Sequence, residues 1–501
     1  MKSDNISWID EPTLEFRYGQ NLIDPHDGLS VFGPFDADQP SSPKQISYGI
    51  VGTQYGINEC SKFIGTLNTP ILIDDKSTNA ILWPPFPGFS TCFESKMPNT
   101  PTHIHVINDD KLLKAATDLD QNKRTGSVVD FYIEGIKHLI KYDDKYDVII
   151  CVIPEIVFKN CRPMSTLQEG TGDRISAITR RFRKIGHQNL FDCYKQEHYT
   201  YSVDFRRQIK ARSMEFGVPI QIIRDTTFIT EKNQGIKRGL TPLSDRAWNL
   251  SVGLYYKAGG KPWKLSSTRE GVCYVGIAYK RTGDSEQSRT ACSAAQMFLD
   301  SGDGLVLMGE YGQWYSPISK ECHLDRQAAK RLLSKVLETY NALDGKPLNE
   351  IFLHCMSSID EEEFNGFKDA CPKDTKIIGI RIKKQQNSIR LFREGKNPVL
   401  RGTYWRLSDQ TCLLWASGYK PRIATYDGWE TPLPLSIDIQ HGDADIDQVA
   451  KDILGLTKLS YNSCKFSMSE PVTIGFSKSV GEILVSNPTV IKAEPKFKFY
   501  I

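Results

Sequence analysis

The sequence lacks any apolar run long enough to cross a membrane, which takes roughly eighteen or more consecutive apolar residues. Its first residues, Met1-Lys2-Ser3-Asp4, also lack the apolar segment of a secretory signal. These two absences predict no membrane association and a cytoplasmic protein. At 501 residues the chain is long enough for two or three domains, each with its own core.

Metal-binding and disulfide patterns are also missing. The twelve cysteines form no C-x-x-C pair and no Cys/His cluster, as a zinc site or a disulfide framework would require. We therefore expect buried, reduced thiols. The net charge of only +3 excludes a uniformly basic surface, so any polyanion must be bound by local basic patches.

The first hundred residues are rich in glycine, proline and aromatic residues. Short strand-like runs occur at 14–19 and 48–53, separated by turn signals. This pattern predicts a β-rich leader that packs on the rest of the chain.

A change of pattern near Lys145 predicts an α/β domain. Residues 146–154 form a continuous apolar run typical of a buried parallel strand, and 219–223 form a second one. Helices are predicted over 204–216 and over 245–257, the latter with Ser244 as N-cap. Strands and helices in this order indicate a doubly wound, Rossmann-like domain.

The second half of the chain predicts a different sheet. Strands over 272–279 and 291–308 form a meander, a helix follows over 326–341, and another strand occupies 350–357. A meander followed by a helix and a parallel strand is the outline of an RNase H-like fold.

Carboxylates are missing where such a fold carries its catalytic acids. Ala278 stands at the end of the first strand and Met356 at the end of the later one. Two-metal cleavage of phosphodiesters needs convergent carboxylates at these strand ends, so we expect binding without cleavage. The alternative is that both are ordinary core residues of a fold that never had an active site, which also predicts no cleavage. His354, on the same apolar strand, is expected to be a core histidine.

Basic residues in the first half form a candidate anion site. Arg206 and Lys210 are four residues apart and therefore share one face of a predicted helix, with Arg207 beside them. Gln221 follows on the next strand, and Lys257 ends the next helix. Arg206, Lys210, Gln221 and Lys257 could converge on one terminal phosphate. The spacing alone also fits the solvated face of an amphipathic helix.

A second basic stretch runs from Arg381 to Arg401. Its cationic side chains could follow a nucleic-acid backbone, or they could be an ordinary solvated sheet face. Its candidate backbone contacts, which join Arg207, are Lys383, Lys384, Arg390, Arg393 and Arg401.

Several segments together resemble the Argonaute family. The resemblance is carried by Arg206-x-x-x-Lys210, Gln221, Tyr255–Trp263, Asp452–Ser463 and Glu470–Ile474. It implies an α/β protein with a Rossmann-like MID domain followed by an RNase H-like PIWI domain. On this basis residues 1–265 are the β-rich leader plus the MID domain, and residues 266–501 are the PIWI domain. The motifs Asp24–Leu29 and Phe32–Phe35 are similar to the start of the short prokaryotic Argonautes.

The resemblance also implies roles for individual residues. Arg206, Lys210, Gln221 and Lys257 would bind the 5′-phosphate of a guide strand, and the terminal carboxylate of Ile501 would hold Mg²⁺ beside it. Two positions depart from the wider family. Arg206 stands where many Argonautes stack an aromatic or histidine side chain on the first guide base, and Gly253 stands where some relatives have a polar phosphate ligand.

The function implied is that of a sensor in prokaryotic antiviral defence. The chain would load a guide RNA, capture complementary single-stranded DNA and activate an APAZ-containing effector protein, most simply a TIR domain that depletes NAD. A sirtuin-like or nuclease effector is an alternative, as is a partner-binding role without any guide. A guided nuclease with other metal ligands is a third alternative, for which the nearby acids are Asp284, Asp303, Glu310 and Asp360.

Overall fold

The computed structural model describes residues 5–73, 79–187, 194–229, 240–281, 291–298, 304–343, 347–385, 389–426, 428, 430–486 and 494–501. The strands in these residues are β1 (Ile6–Trp8), β2 (Leu14–Glu15), β3 (Asn21–Leu22), β4 (Tyr48–Gly52), β5 (His103–Val106), β6 (Val148–Ile153), β7 (Ile220–Arg224), β8 (Lys264–Leu265), β9 (Val272–Arg281), β10 (Ala291–Phe298), β11 (Gly304–Gly312), β12 (Glu350–Cys355), β13 (Lys376–Lys384), β14 (Thr403–Arg406), β15 (Thr411–Leu414) and β16 (Leu435–His441).

The α-helices in the same residues alternate with these strands. They are α1 (Pro25–Val31), α2 (Gln54–Leu67), α3 (Phe89–Phe93), α4 (Asp109–Ala116), α5 (Gln121–Ile140), α6 (Glu155–Asn160), α7 (Ala177–Lys184), α8 (Gln196–Thr200), α9 (Phe205–Ser213), α10 (Leu243–Lys257), α11 (Arg326–Leu343), α12 (Glu361–Ala370), α13 (Ile446–Leu456), α14 (Val472–Gly475) and α15 (Ser477–Leu484).

A parallel sheet of four described strands, in the order β5-β4-β6-β7, lies between two helical layers. Neighbouring residues of β4 face opposite layers. Ile50 packs with Ile57 of α2 in one core, and Val51 packs with Val129 of α5 in the other. Burial on both faces explains the continuous apolar sequences of β4 and β6. The predicted Rossmann-like domain is confirmed.

The first hundred residues differ from the predicted β-rich leader. They contain helices α1 to α3, and their strands are divided among three sheets. β1 pairs with β14, β2 pairs with β3 and β8, and β4 is an inner strand of the Rossmann-like sheet. The prediction failed because turn residues show where elements end, but not which distant strand each element pairs with.

The second sheet contains nine described strands in the order β1-β14-β15-β16-β13-β12-β9-β10-β11. β9, β10 and β11 form the antiparallel meander, and β12 returns parallel to β9 after helix α11. Leu332 and Val336 of α11 pack against Ile351 and Leu353 of β12. The RNase H-like outline is therefore confirmed.

Helix α9 agrees with its prediction, whereas the start of α10 does not. The side chain of Asp204 caps α9 by accepting a hydrogen bond from the amide of Arg207 at 3.0 Å. Helix α10 begins at Leu243, after Pro242, so Ser244 lies inside the helix and is not its N-cap. Proline has a fixed φ compatible with a helix start, and the helix begins two residues earlier than a serine N-cap would indicate.

The predicted burial of the thiols is confirmed for the described side chains. The unpaired cysteines are buried, except for the half-buried Cys371. No helix in the described part of the chain combines the length and the apolar composition needed to span a bilayer.

Candidate nucleic-acid interface

Lys210 on α9 and Lys257 at the end of α10 are buried, with exposed fractions of 3% and 0%. Lys210 Nζ donates a hydrogen bond to the main-chain oxygen of Ile501, and Lys257 Nζ has no hydrogen-bond partner among the described residues. Neither ammonium group forms an ion pair with a described carboxylate side chain. The solvated-helix alternative is therefore wrong for Lys210, although Arg206 on the same helix is exposed.

The two lysines lie in a cationic cluster, defined here as Arg206, Lys210, Lys257 and Lys498. Burial lowers the pKa of Lys210, and the charges of Lys257 and Arg206 lower it further. Burial, with Arg206 and Lys498, lowers the pKa of Lys257 to about 7. Desolvation and like charges both disfavour the ammonium form, and no described side chain supplies a counter-ion, so the cluster is a candidate anion site.

The last residues of the chain pack against this cluster. Phe497, Phe499, Tyr500 and Ile501 are buried, and Lys498 Nζ donates to the main-chain oxygen of Lys257 at 3.0 Å. Lys498 was not among the residues predicted from the sequence. Residues 497–499 form a short 3₁₀ helix, so the alternation of lysine and phenylalanine before Tyr500, which would be a strand signal, did not indicate this position.

Gln221 on β7 lies beside α10, one turn before Lys257. A Cβ built on Gly253 would lie 3.7 Å from Gln221 Oε1, so the absence of a side chain at Gly253 leaves room there. Gln221 is half-buried, and its Nε2 donates to the main-chain oxygen of Ile222 at 3.2 Å. Its amide therefore lies on the α10 side of the sheet, as the predicted phosphate site requires.

The donor set of the cluster fits a phosphate and does not by itself fit Mg²⁺. The main-chain oxygen of Ile501 accepts from Lys210, and several cations surround it. Divalent cations prefer anionic oxygen ligands, and no described carboxylate side chain enters the cluster. The predicted magnesium ion stays a prediction, and the proposed function does not depend on it.

Arg207 is not part of the cluster. Its guanidinium forms an ion pair with Glu482 of α15, and Glu482 also binds Lys280 of β9 at 2.9 Å. Ser486 Oγ donates to the main-chain oxygen of Arg207 at 3.0 Å. Arg207 therefore links α9 to the second sheet, and its predicted contact with a nucleic-acid backbone gains no support.

Ala278 and Met356 lie at the same edge of the nine-stranded sheet. Ile277 pairs with Cys355 in parallel register, so Ala278 and Met356, the next residue of each segment, lie side by side where β12 ends, although β9 continues to Arg281. In the described part of the molecule, no group of three or more His, Cys, Asp or Glu side chains is arranged to hold a metal ion. We call this region the Ala278–Met356 edge.

The acids considered as substitutes give no support for a metal site here. Asp284 and Asp303, and the side chain of Glu310, lie outside the described residues. Asp360 caps helix α12 by accepting from the amide of Glu363 at 2.8 Å. His354 is a buried core histidine, as predicted, with Nδ1 2.9 Å from Thr473 Oγ1, and burial lowers its pKa to about 3.

The basic stretch divides into two groups. Arg381 and Lys383 both donate to Glu321 at 2.8 Å, an ion-pair partner that was not predicted from the sequence. Lys384, Arg390 and Arg393 are exposed and remain candidate backbone contacts.

The predicted role of Arg401 is wrong. Its side chain is buried and binds Glu11 at 2.8 Å and Thr457 Oγ1 at 2.7 Å, as well as the main-chain oxygen of Ala416. Sequence alone gave no sign of this, since the local pattern of charges is the same for an exposed and a buried arginine. A buried, fully bonded guanidinium cannot reach a nucleic acid.

No protein-family model matches this sequence, and neither does any curated protein. Solved structures do match. The Argonaute of Clostridium butyricum, solved with a guide DNA (5′ deoxycytidine) and a 19-mer target DNA, is 16% identical, with a TM-score of 0.61 over 96% of this chain and 53% of that one. Aquifex aeolicus Argonaute is 15% identical, with a TM-score of 0.55 over 99% and 57% of the two chains.

Drosophila Piwi gives a TM-score of 0.60 at 13% identity, over 99% of this chain and 56% of that one. The present chain thus spans about half the length of each of these three proteins. Its Rossmann-like sheet and its RNase H-like sheet occur in the order of the MID and PIWI domains. The chain therefore has the Argonaute fold, in its MID–PIWI part.

Proposed function

We propose that this chain is a guide-dependent nucleic-acid sensor that binds the 5′-phosphate of a short guide RNA and pairs the guide with single-stranded DNA. The observation that carries the proposal is a pair of buried lysines, Lys210 and Lys257, without a carboxylate partner among the described side chains. Lys210 Nζ donates to the main-chain oxygen of Ile501, and Lys257 Nζ has no hydrogen-bond partner among the described residues. Burying an unpaired charge costs several kcal/mol, and a bound phosphate would repay that cost.

A terminal phosphate suits the cluster in charge and in geometry. Two ammonium groups can each donate charge-assisted hydrogen bonds, while the exposed Arg206 offers a planar guanidinium to the phosphate or the first base. The Clostridium butyricum Argonaute, whose fold this chain shares, was solved with both guide and target strands. Sequence specificity would then come from base pairing, while the protein recognises the backbone and the helix shape.

The direct test is binding of two strands that differ only at the 5′ end. Fluorescence anisotropy with short RNAs of one sequence, bearing either a 5′-phosphate or a 5′-hydroxyl, should show a clear preference for the phosphate. The loaded chain should then capture a complementary DNA in preference to a scrambled one. Equal affinity for both RNA ends would refute the proposed role of the cluster.

The binding preference should depend on pH. In the ligand-free chain the pKa of Lys257 is about 7, so this lysine must regain a proton to bind phosphate at higher pH. Above pH 7 we expect the affinity for the phosphorylated strand to fall, approaching tenfold per pH unit. Titrations across neutral to mildly alkaline pH would measure this, with the 5′-hydroxyl strand as control. A flat profile would contradict the assignment of Lys257.

We further propose that the chain does not cut its target. Ala278 and Met356 lie side by side on neighbouring strand segments, and neither supplies a carboxylate that could clamp paired metal ions. Labelled target incubated with the guide-loaded chain and Mg²⁺ or Mn²⁺ should remain intact, as in a matched reaction with EDTA. Guide-dependent products that disappear with EDTA would establish a nuclease and refute the proposed lack of cleavage.

The chemical output would belong to a partner. We propose that this partner is an APAZ-containing effector whose TIR domain consumes NAD in antiviral defence. The guide–target duplex would activate it by binding the active arrangement of the complex more tightly than the resting one. Co-expression with the candidate effector should yield a complex whose NAD consumption requires both guide and matched target. A complex that carries no defined short strands would instead favour a partner-binding role without a guide.

A further inference from the structure

Phe392 lies on a loop after β13 and is 73% exposed. Two apolar residues that precede it in the chain anchor this part of the loop. Ile389 and Leu391 pack against a small core of Val399, Leu413 and Trp415. Because two apolar residues anchor the loop, Phe392 stays exposed to solvent. Most of its ring therefore has no apolar contact in the unbound protein.

The loop that carries Phe392 is rich in cationic residues. Arg390, Arg393 and Lys396 are all exposed on the same loop, together with a single acid, Glu394. The guanidinium of Arg393 lies 5.5 Å from the ring centroid of Tyr419. An exposed aromatic ring among cations is the arrangement that binds single-stranded nucleic acid, because the ring stacks on a base while the cations neutralise phosphates.

This loop lies at the same edge of the nine-stranded sheet as Ala278 and Met356, but on the β15 side, where Ile389 and Leu391 pack beside Leu413 and Trp415. β13 runs parallel to β12, and β12 runs parallel to β9, so their carboxyl ends share one edge of the sheet. The loop leaves β13 at Lys384, beyond the level of Cys355. On an RNase H-like sheet the catalytic acids act at this edge on a bound strand.

We propose that Phe392 stacks on a base of the bound nucleic acid where the strand passes the β15 side of this sheet edge, with Arg390, Arg393 and Lys396 contacting neighbouring phosphates. This inference rests on the proposed guide-dependent function. It adds a nucleic-acid contact that is distant in sequence from the cationic cluster. A protein partner is the less favoured occupant, since an isolated ring among like charges offers it little apolar area.

The test compares target capture by guide-loaded chains. Loss of one base-stacking contact should weaken capture of complementary DNA in F392A by about tenfold, while F392W retains capture. The preference for a 5′-phosphate should stay unchanged in both. Y55A is the matched control, because Tyr55 on α2 is 63% exposed and has no basic residue beside it in the sequence.

Photocrosslinking supplies a direct readout. In a set of strands, each carries 5-iodouracil at a different position. Strands labelled at one or two of these positions should crosslink to Phe392, and that crosslink should be absent in F392A. Target capture equal to wild type by F392A, with crosslinks only elsewhere, would overturn the proposal. It would also be overturned if F392A lost only effector binding. A wild-type chain without phosphate preference would instead refute the proposed function, which separates the two failures.

Discussion

Replacing both Lys210 and Lys257 by methionine is expected to abolish the preference for a 5′-phosphorylated guide. Each charge-assisted hydrogen bond lost should cost about 1.5–3 kcal/mol of binding free energy. The double variant should then bind phosphate-ended and hydroxyl-ended strands with similar affinity. Anisotropy titrations of the wild type, both single variants and the double variant would measure the effect. Single variants that keep the full preference would contradict the assignment.

The K257M substitution should also stabilise the empty protein, because Lys257 Nζ has no hydrogen bond to lose among the described residues. The pKa of Lys257 is lowered in the folded chain, so an unfolded chain binds more protons between about pH 7 and the ordinary lysine value of about 10.4. Ligand-free stability should therefore rise with pH across that window, and K257M should remove the rise. Weaker binding together with higher folding stability excludes misfolding as the cause of the lost affinity.

Lys458 provides a matched control for these lysine variants. It is also buried, but its Nζ binds Glu11 at 2.9 Å and the main-chain oxygen of Ile23 at 2.7 Å. K458M leaves Glu11 with one cationic partner fewer and should destabilise the fold, while the folded fraction keeps its preference for phosphate. The contrast between paired and unpaired buried lysines is what the proposed site predicts.

Replacing Arg401 by methionine is expected to produce the largest loss of folding stability. The guanidinium binds both carboxylate oxygens of Glu11, at 2.8 and 3.1 Å, and it also binds Thr457. Removing one member of a buried ionic network leaves an uncompensated charge, at a cost of about 3–5 kcal/mol. Denaturant unfolding of the wild type and R401M would measure the difference.

The exposed Lys384 is the control for Arg401, because it lies in the same basic stretch. K384M should leave the free energy of unfolding nearly unchanged. An R401M chain as stable as wild type, but weaker in binding nucleic acid, would restore the backbone role that the sequence predicted for Arg401.

The Glu11 network also has an acid limit. Burial raises the pKa of Glu11, but Arg401 and Lys458 together outweigh burial and lower it. This contribution to stability is present above the unfolded pKa of glutamate, about 4.3, and is lost as pH falls through the lower folded value.

Much of the fold followed from local sequence patterns. The apolar run of β6 and the amphipathic spacing of α11 predicted their elements, because burial on one or both faces fixes the period of apolar residues. The missing carboxylates at Ala278 and Met356 were equally visible in the sequence. The cationic cluster was predicted in its main members, Lys210 and Lys257, from helix spacing together with the family resemblance.

The fate of individual charges depended on contacts far along the chain. Arg401 and Glu11 are 390 residues apart, and Lys210 and Ile501 are 291 apart. Arg207 pairs with Glu482, although its neighbours Arg206 and Lys210 lie in the cluster. Local sequence has the same charge pattern whether such a side chain meets solvent, a carboxylate or another cation.

Local patterns were sufficient for the order of strands and helices, and, together with the family resemblance, for the Argonaute-like outline. Three features emerged only in the folded chain: residues 6–8 complete the second sheet, Arg401 is a core residue, and Lys257 is buried without a described carboxylate partner. The two groups of features differ in how far apart in the sequence the interacting residues lie. Hydrophobic periodicity acts between neighbours in the chain, whereas desolvation and ion pairing depend on which distant segments meet.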